Sequence, residues 1–329
     1  MIVVTGGAGF IGSNLHAALV ARGHETVVVD RLRSGAPGKW RNLRSHPPAR
    51  LIPPEQLDGF LAARPPVQMV FHLGAISSTT ADDGDAMWAN NVALSQSLFA
   101  WCAAHGVRMA YASSAATYGD GSHGFDDDAA GLPALRPLNL YGWSKHAFDL
   151  QVGRTIAGEG ALPPQFVGLK FFNVYGPNEY HKAAMVSVVK VKYDEVAAGK
   201  RPTLFRSDPA AAAVPDAGSH ARDFIWVGDV VDVLLWLLDT PQVSGLFNLG
   251  TGVARSYLDL AHAVCAAAGV APDIDFVDMP ARLHGQYQMF TQAPMGRLRA
   301  AGYSGQFTPL EAGIARYVTD YLSRPDPYL

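Results

Sequence analysis

The stretch "MIVVTGGAGFIG", residues 1–12, runs from a short β-branched segment straight into glycines. A continuous apolar run such as "MIVVT" (1–5) suits a strand covered on both faces, since no position in it is set aside for water. "SNLHAALVARG" (13–23) follows, with apolar residues at helical spacing and Gly23 where a helix would end. Between the two, Gly6, Gly9 and Gly12 stand at the spacing G-x-x-G-x-x-G. Glycines there let the backbone turn tightly and approach a pyrophosphate, while the helix N-terminus adds N–H donors and a favourable dipole. A glycine-rich turn alone would say little. Here strand, loop and helix are followed by a second strand, "ETVVVD" (25–30), ending in Asp30, which is the order a dinucleotide site requires. Asp30 is placed to hold an adenosine ribose hydroxyl, which suits NAD. Arg31, Arg33 and Lys39 are placed to hold a ribose 2′-phosphate, which suits NADP, and the residues leave that choice open.

Outward from this unit the alternation continues. "VQMVFHLGA" (67–75) and "VRMAYASS" (107–114) read as strands, "NVALSQSLFAWCAAHG" (91–106) and "YGWSKHAFDLQVGRTIA" (141–157) as helices, and "QFVGLKFFNVYG" (165–176) begins as a strand. The predicted fold is α/β: a Rossmann-type doubly wound parallel sheet with right-handed crossovers. After residue 175 the rhythm loosens, although "DFIWVGDVVDVLLWLL" (223–238) and "GLFNLGTG" (245–252) still read as pieces beside the sheet. The expected domains are therefore 1–172, together with about 223–252, for the dinucleotide, and 173–222 with 253–329 as a smaller, interleaved C-terminal substrate lobe. The Ala/Pro/Gly-rich "SDPAAAAVPDAGSHA" (207–221) reads as a mobile loop.

Composition narrows the class. The chain has 329 residues, 49% of them hydrophobic and 17% charged, with 26 basic against 29 acidic side chains and a net charge of −3. With no run of like charge there is no electrostatic case for nucleic acid or an anionic membrane as partner. Cys102 and Cys265 lie far apart within apolar helical patterns, so they read as small buried hydrophobes and neither a disulfide frame nor a metal site. No apolar run is long enough to span a bilayer, and the N-terminus lacks a basic segment followed by a long apolar one, so a cytoplasmic enzyme is the expectation.

"NLYGWSKHAFD" (139–149) sets Tyr141 and Lys145 four residues apart, on one face at the start of a helix. A phenol with a reference pKa of about 10 is a poor base at neutral pH, and a neighbouring ammonium favours the phenolate. In "ASSAATYG" (112–119), Ser114 ends a buried strand and can hydrogen-bond the same substrate oxygen. Tyr–Lys pairs at this spacing are common on helices; the glycine loop and the upstream serine turn this one into a redox centre. In "FNVYGPNEYHKAAM" (172–185), Lys182 taken alone reads as a solvated loop residue.

Together with "GAISSTTADDGDAMWANN", "YASSAATYG", "RDFIWVGDV", "FNLGTG" and "GQYQMFTQA", these segments resemble the extended short-chain dehydrogenases/reductases over nearly the whole chain. Within that class the "SSTT…NN", "HKAAM" and "YQMFTQA" segments resemble the ADP-L-glycero-D-manno-heptose 6-epimerase family. The resemblance implies a nucleotide-sugar epimerase with tightly held NADP (NAD being the alternative), working through a transient C6 ketone of the heptose. It implies that Tyr141 and Lys182 are the two acid/bases, that Lys145 supports Tyr141 and holds the nicotinamide ribose, and that Ser114 binds the reacting oxygen. It extends the cofactor site to Phe10, Ile11, Asp30, Arg31, Lys39, the segment Leu73, Gly74, Ala75, Ile76 and Ser77, Asn90 and Val174. For the nucleotide sugar it points to Asn173, Phe205, Arg222 and Tyr287, and to Ala184, which stands where the family has a substrate-touching serine. Val191 likewise replaces a histidine. Taken singly, Arg222 also reads, less strongly, as the partner of Asp223, and Tyr287 as a half-buried aromatic. A homo-oligomer, commonly a pentamer, is implied as well.

A C4-epimerase on the same scaffold needs only the tyrosine. A dehydratase needs an acid beside Ser114, where Ala115 and Ala116 follow. A non-catalytic dinucleotide-binding regulator has no need of the serine, tyrosine and lysine set.

Overall fold

A computed structural model describes residues 1–32, 38–206, 220–280 and 288–329. Its strands in chain order are β1 (Ile2–Thr5), β2 (Thr26–Val29), β3 (Arg50–Ile52), β4 (Met69–His72), β5 (Arg108–Ser114), β6 (Phe166–Phe171), β7 (Asn173–Tyr175), β8 (Thr203–Phe205), β9 (Ala221–Trp226), β10 (Gly245–Leu249), β11 (Ala254–Ser256) and β12 (Asp275–Val277). All residues of β1, β2 and β4 are buried, which is why their sequences are continuous apolar runs with no alternation.

β10, β6, β5, β4, β1, β2 and β3 form, in that order, a seven-stranded parallel sheet. Side chains alternate across it. Ile2 and Val4 pack with Leu15 and Leu19 of the helix Phe10–Ala21 and with Leu234 of the helix Val227–Asp239. Val3 faces the other way, toward Phe99 of the helix Leu94–His105 and Phe148 of the helix Leu140–Ile156. Burying each such side chain contributes about 1.5–3 kcal/mol. Helices on both faces make this the doubly wound fold expected. Strand order reverses between β1 and β4, and there the loops at the carboxyl ends diverge and leave a crevice.

The 165–176 stretch, read as the start of one strand, is two. β6 closes on the large sheet, Phe172 donates its N–H to Leu249 O, and β7 leaves to pair with β9. β7, β9 and β11 form a separate three-stranded sheet, and β8 pairs with β12. Within residues 223–252, grouped above with the dinucleotide domain, β9 thus belongs to the small sheet, whereas the helix Val227–Asp239 and β10 lie on the large one. The small sheet shares an aromatic core, including Tyr175, Phe224, Trp226 and Tyr317, with the helices Tyr257–Ala267 and Leu310–Tyr317. Most of the 207–221 loop lies outside the described residues. Among the described residues no helix is long and apolar enough to cross a membrane.

Candidate active site

The glycine loop is closely packed at two points, once against the loop after β4 and once against itself. Gly6 has φ +68°, and a Cβ there would lie 2.6 Å from Gly74 N; a Cβ on Gly12 would lie 2.1 Å from Gly6 O. Only glycine lets the ends of β1 and β4 approach this closely. The helix starting at Phe10 has no acidic residue in its first turn, so its N-terminus stays electropositive toward the crevice. Thr5 Oγ1 lies 2.7 Å from His72 Nδ1 and accepts from Gly74 N at 3.1 Å, while His72 Nε2 lies 2.8 Å from Ser95 Oγ. Burial, helped by the charge of Lys145, brings His72 down to about 3, so this link is neutral.

Asp30, just beyond β2, accepts from Ala8 N at 2.9 Å, Arg31 N at 2.7 Å and Lys39 Nζ at 2.5 Å. Arg31 pairs with Glu55 at 2.8 Å; Arg33 lies outside the described residues. Asn90 and Asn91 sit in a π-helical turn (Trp88–Ala93) that leads into the helix Leu94–His105. Asn91 clasps Ile76, accepting its N–H at 2.8 Å and donating to its carbonyl at 2.9 Å, and so shapes the Leu73–Ser77 loop.

Tyr141 is set by its helix. Asn139 caps it by accepting from Gly142 N at 2.9 Å. A Cβ on Gly142 would lie 2.6 Å from Ala116 O, so glycine allows the helix to press on the turn Ala115–Tyr118 that follows Ser114. Burial raises Tyr141, with Asp149 adding to the effect and a hydrogen bond with Ser114 opposing it. One turn on, buried Lys145 is brought down to about 8 by desolvation, against the pull of Asp149.

Lys182 reaches the crevice from the other side, on the turn Tyr180–Met185 of the small lobe. Its Nζ lies 5.4 Å from the Phe10 ring centroid, which connects this loop with the glycine loop. Burial lowers Lys182, partly offset by Glu179. The next residue, Ala183, has φ 48° and ψ −121°, a conformation that disfavours a side chain. Buried Glu179 anchors the turn by accepting from Ser187 N at 2.5 Å, Ser187 Oγ at 2.6 Å and Tyr317 OH at 3.0 Å. His181, beside Asn42 at 3.3 Å, is brought down to about 4 by burial first and then by the charges of Lys39 and Lys182.

These parts surround one cleft of about 560 Å³. Gly6, Gly9, Phe10, Ile11 and Gly12 line it, as do Asp30, Arg31, Lys39, Asn90, Val174 and the whole Leu73–Ser77 loop. Ser114, Tyr141, Lys145 and Lys182 open on the same space. Asn173, Ala184, Phe205 and Arg222 lie outside the lining. Asn173 and Ala184 are exposed, Phe205 is in β8, and Arg222 is buried in β9 with its guanidinium carbon 5.7 Å from the Tyr257 ring centroid. The acceptor positions of Asp223 take Thr251 N and Oγ1, both at 2.7 Å, Gly252 N at 2.9 Å and Ala293 N at 3.1 Å, which knots the "FNLGTG" segment to β9. Tyr287 lies outside the described residues.

Sequence reasoning passed over Asn91, His72 and a fully buried ion pair, Asp149–Lys170, whose Nζ–Oδ2 distance is 2.6 Å. A charged residue inside the buried run "GLKFF" was the available signal for Lys170.

The chain is similar to known proteins along its whole length. A sequence profile of the NAD dependent epimerase/dehydratase family matches residues 2–250. An ADP-L-glycero-D-manno-heptose-6-epimerase of Nitratidesulfovibrio vulgaris is 46% identical over 335 residues, covering 100% of both chains. The crystal structure of the Helicobacter pylori ADP-L-glycero-D-manno-heptose-6-epimerase superposes with a TM-score of 0.79 at 27% identity, covering 97% of this chain and 95% of that one. A Thermus thermophilus UDP-glucose 4-epimerase in complex with NAD gives a TM-score of 0.72 at 26% identity, covering 95% of this chain and 96% of that one.

Proposed function

The chain belongs to the NAD dependent epimerase/dehydratase family, and on that footing we propose that it is an isomerase, a nucleotide-sugar epimerase that inverts C6 of ADP-glycero-manno-heptose. The observation that carries this reading is the meeting of two ionisable groups, Tyr141 from the large domain and Lys182 from the small lobe, in one cleft with the glycine loop. The hydroxyls of two epimers do not occupy the same place, so each needs a proton carrier of its own.

Tyr141, as phenolate, takes the proton of one C6 hydroxyl while Ser114 bonds the same oxygen. Loss of that proton and a hydride leaves a C6 ketone, and return of a hydride to the opposite face, with a proton from Lys182, gives the other epimer. In the reverse direction the two groups exchange roles. The positive charge of Lys145 favours the phenolate. Desolvation lowers the proton affinity of Lys182, which favours the neutral amine that a base requires. Gly6 and Gly12 allow the tight backbone packing that turns the loop into the helix N-terminus at the cleft, an arrangement that fits a dinucleotide pyrophosphate, and a bound dinucleotide would supply the acceptor and donor of the hydride.

We assign NADP as that dinucleotide. Lys39 already covers the Asp30 carboxylate, and Arg31 lines the cleft beside it, which together suit a 2′-phosphate better than a free carboxylate would. Asn173, Ala184, Phe205, Arg222 and Tyr287 form the nucleotide-sugar side of this reading, and the working assembly is a homo-oligomer. Mass spectrometry of nucleotide released from the purified protein checks the cofactor; recovery of NAD alone overturns NADP. Sedimentation checks the assembly, and a monomer at working concentration refutes it. Incubation with a panel of ADP- and UDP-linked heptoses and hexoses, followed by NMR, tests the activity. Inversion at C6 of the ADP-linked heptose is expected, and a panel left unchanged rejects the reading.

A further inference from the structure

Behind the Tyr141 centre lies a polar cluster that neither the cleft nor the core explains. Lys170, on β6, donates to Asp149 Oδ2 at 2.6 Å and to Thr117 Oγ1 at 2.8 Å, and its ammonium lies 4.9 Å from the Tyr118 ring centroid. Asp149 also accepts from Ser113 Oγ at 2.6 Å and Tyr111 OH at 3.0 Å. Thr117 in turn donates to Ser114 O at 2.8 Å. Both charged side chains are fully buried. A buried ion pair is weak evidence for stability, because desolvation offsets much of the attraction and apolar residues of the same volume often do as well. What this pair touches suggests another role: Asp149 holds Ser113, the neighbour of Ser114, Lys170 holds Thr117, which bonds the Ser114 carbonyl, and Asp149 lies on the helix that carries Tyr141 and Lys145.

We propose that the Asp149–Lys170 pair is a positioning device for the redox centre, fixing Ser114 against the Tyr141 helix while Lys170 balances the carboxylate buried two turns along that helix from Tyr141. The proposal rests on the reading of Tyr141 as a proton carrier. The other ionisable groups around the pair are His72 from β4, Tyr111 from β5, Tyr118 from the following turn, and Lys145 and His146 on the helix itself. Beyond them lie Arg136, Asp126 and Asp127 on the loops between. Burial brings His72 down to about 3 and pushes Tyr111 and Tyr118 well up, so these three stay neutral over the working range, and it lowers His146 as well. Asp149 raises the proton affinity of both Tyr141 and Lys145. Its balance by Lys170 therefore sets where on the pH axis the centre works.

The test is the pH profile of epimerisation from about pH 6 to about pH 10 in Asp149→Asn, Lys170→Met, the double variant and Lys170→Arg. Removing the carboxylate slides the profile to lower pH and removing only its partner slides it to higher pH. Each shift is on the order of one unit, for charges about 10 Å apart at an effective dielectric of ~20. The double variant returns near the wild-type position, and Lys170→Arg keeps it. Shifts in one direction, or a loss of rate with the profile unmoved, overturn the proposal, because a purely structural role predicts the latter. If a single variant fails to fold by circular dichroism, the folded double variant and Lys170→Arg still decide: a profile displaced from wild type in both rejects the balance. Tyr141→Phe run alongside separates the two failures. Wild-type turnover in that variant rejects the proton carrier itself, whereas a dead Tyr141→Phe with unshifted Asp149 and Lys170 variants rejects only the pair.

Discussion

The two sides of the cleft are built differently. Tyr141 stands on a capped helix pressed onto the turn after Ser114, with Lys145 buried beside it and the Asp149–Lys170 pair behind. Lys182 is half-buried on a short turn of the small lobe, next to Ala183 in a conformation that disfavours a side chain, and is held through Glu179 rather than by a helix or strand. On the proposed two-base reading, one proton carrier belongs to a packed frame and the other rides on a loop anchored at its base. A reaction in which the substrate carbon must present either face has reason to keep one base fixed and give the other some reach.

The largest effect falls on the frame. Tyr141→Phe is expected to slow epimerisation in both directions by about 10²–10⁴-fold, the usual weight of general acid–base catalysis, with the fold intact by circular dichroism. Gly142→Ala should come next. Its methyl would meet Ala116 O at 2.6 Å, and with backbone on both sides of the contact neither has room to yield. Thermal melts should show a loss of about 1–3 kcal/mol, with a fall in kcat exceeding any change in KM. An unchanged kcat would mean that the frame is looser than its packing indicates.

A third effect is read in pH. Lys145 is held near 8, so its ammonium is complete below that value and lost above it. The phenolate–ammonium pair holds as many protons as the phenol–amine pair, so the working form grows as pH rises toward about 8 and then levels off, and a kcat profile should rise to a plateau near that value. A profile with no inflection there would exclude Lys145 from this role. The smallest effect is expected from the backbone of the loop beside Lys182. Ala183→Gly relieves an unfavourable backbone conformation and should raise stability by up to about 1 kcal/mol in a urea titration, with the Tyr141-dependent rate little altered. A marked loss of stability would show that the turn is not strained.

What the sequence revealed follows the range of the physics involved. The glycine loop was legible because the turn, the close approach and the helix start are encoded within a dozen consecutive residues. Tyr141 and Lys145 were legible because a helix converts a spacing of four into a shared face. The division of 165–176 between two sheets was not, since it turns on Phe172 bonding to Leu249, far along the chain. β9 was grouped with the large sheet because a buried strand of either sheet presents the same apolar run. Asp149 and Lys170 are 21 residues apart, on a helix and a strand, and only the packed sheet brings them together. Lys182 gained its meaning from resemblance, because nothing local to "HKAAM" distinguishes a base from a solvated lysine.

The two-base reading is tested most directly by Lys182→Met, assayed by proton NMR from each pure C6 epimer of the ADP-linked heptose separately. A loss of about 100-fold or more is expected, unequal in the two directions, while oxidation of the epimer that uses Tyr141 still proceeds in a single turnover. Wild-type rates from both epimers would contradict it.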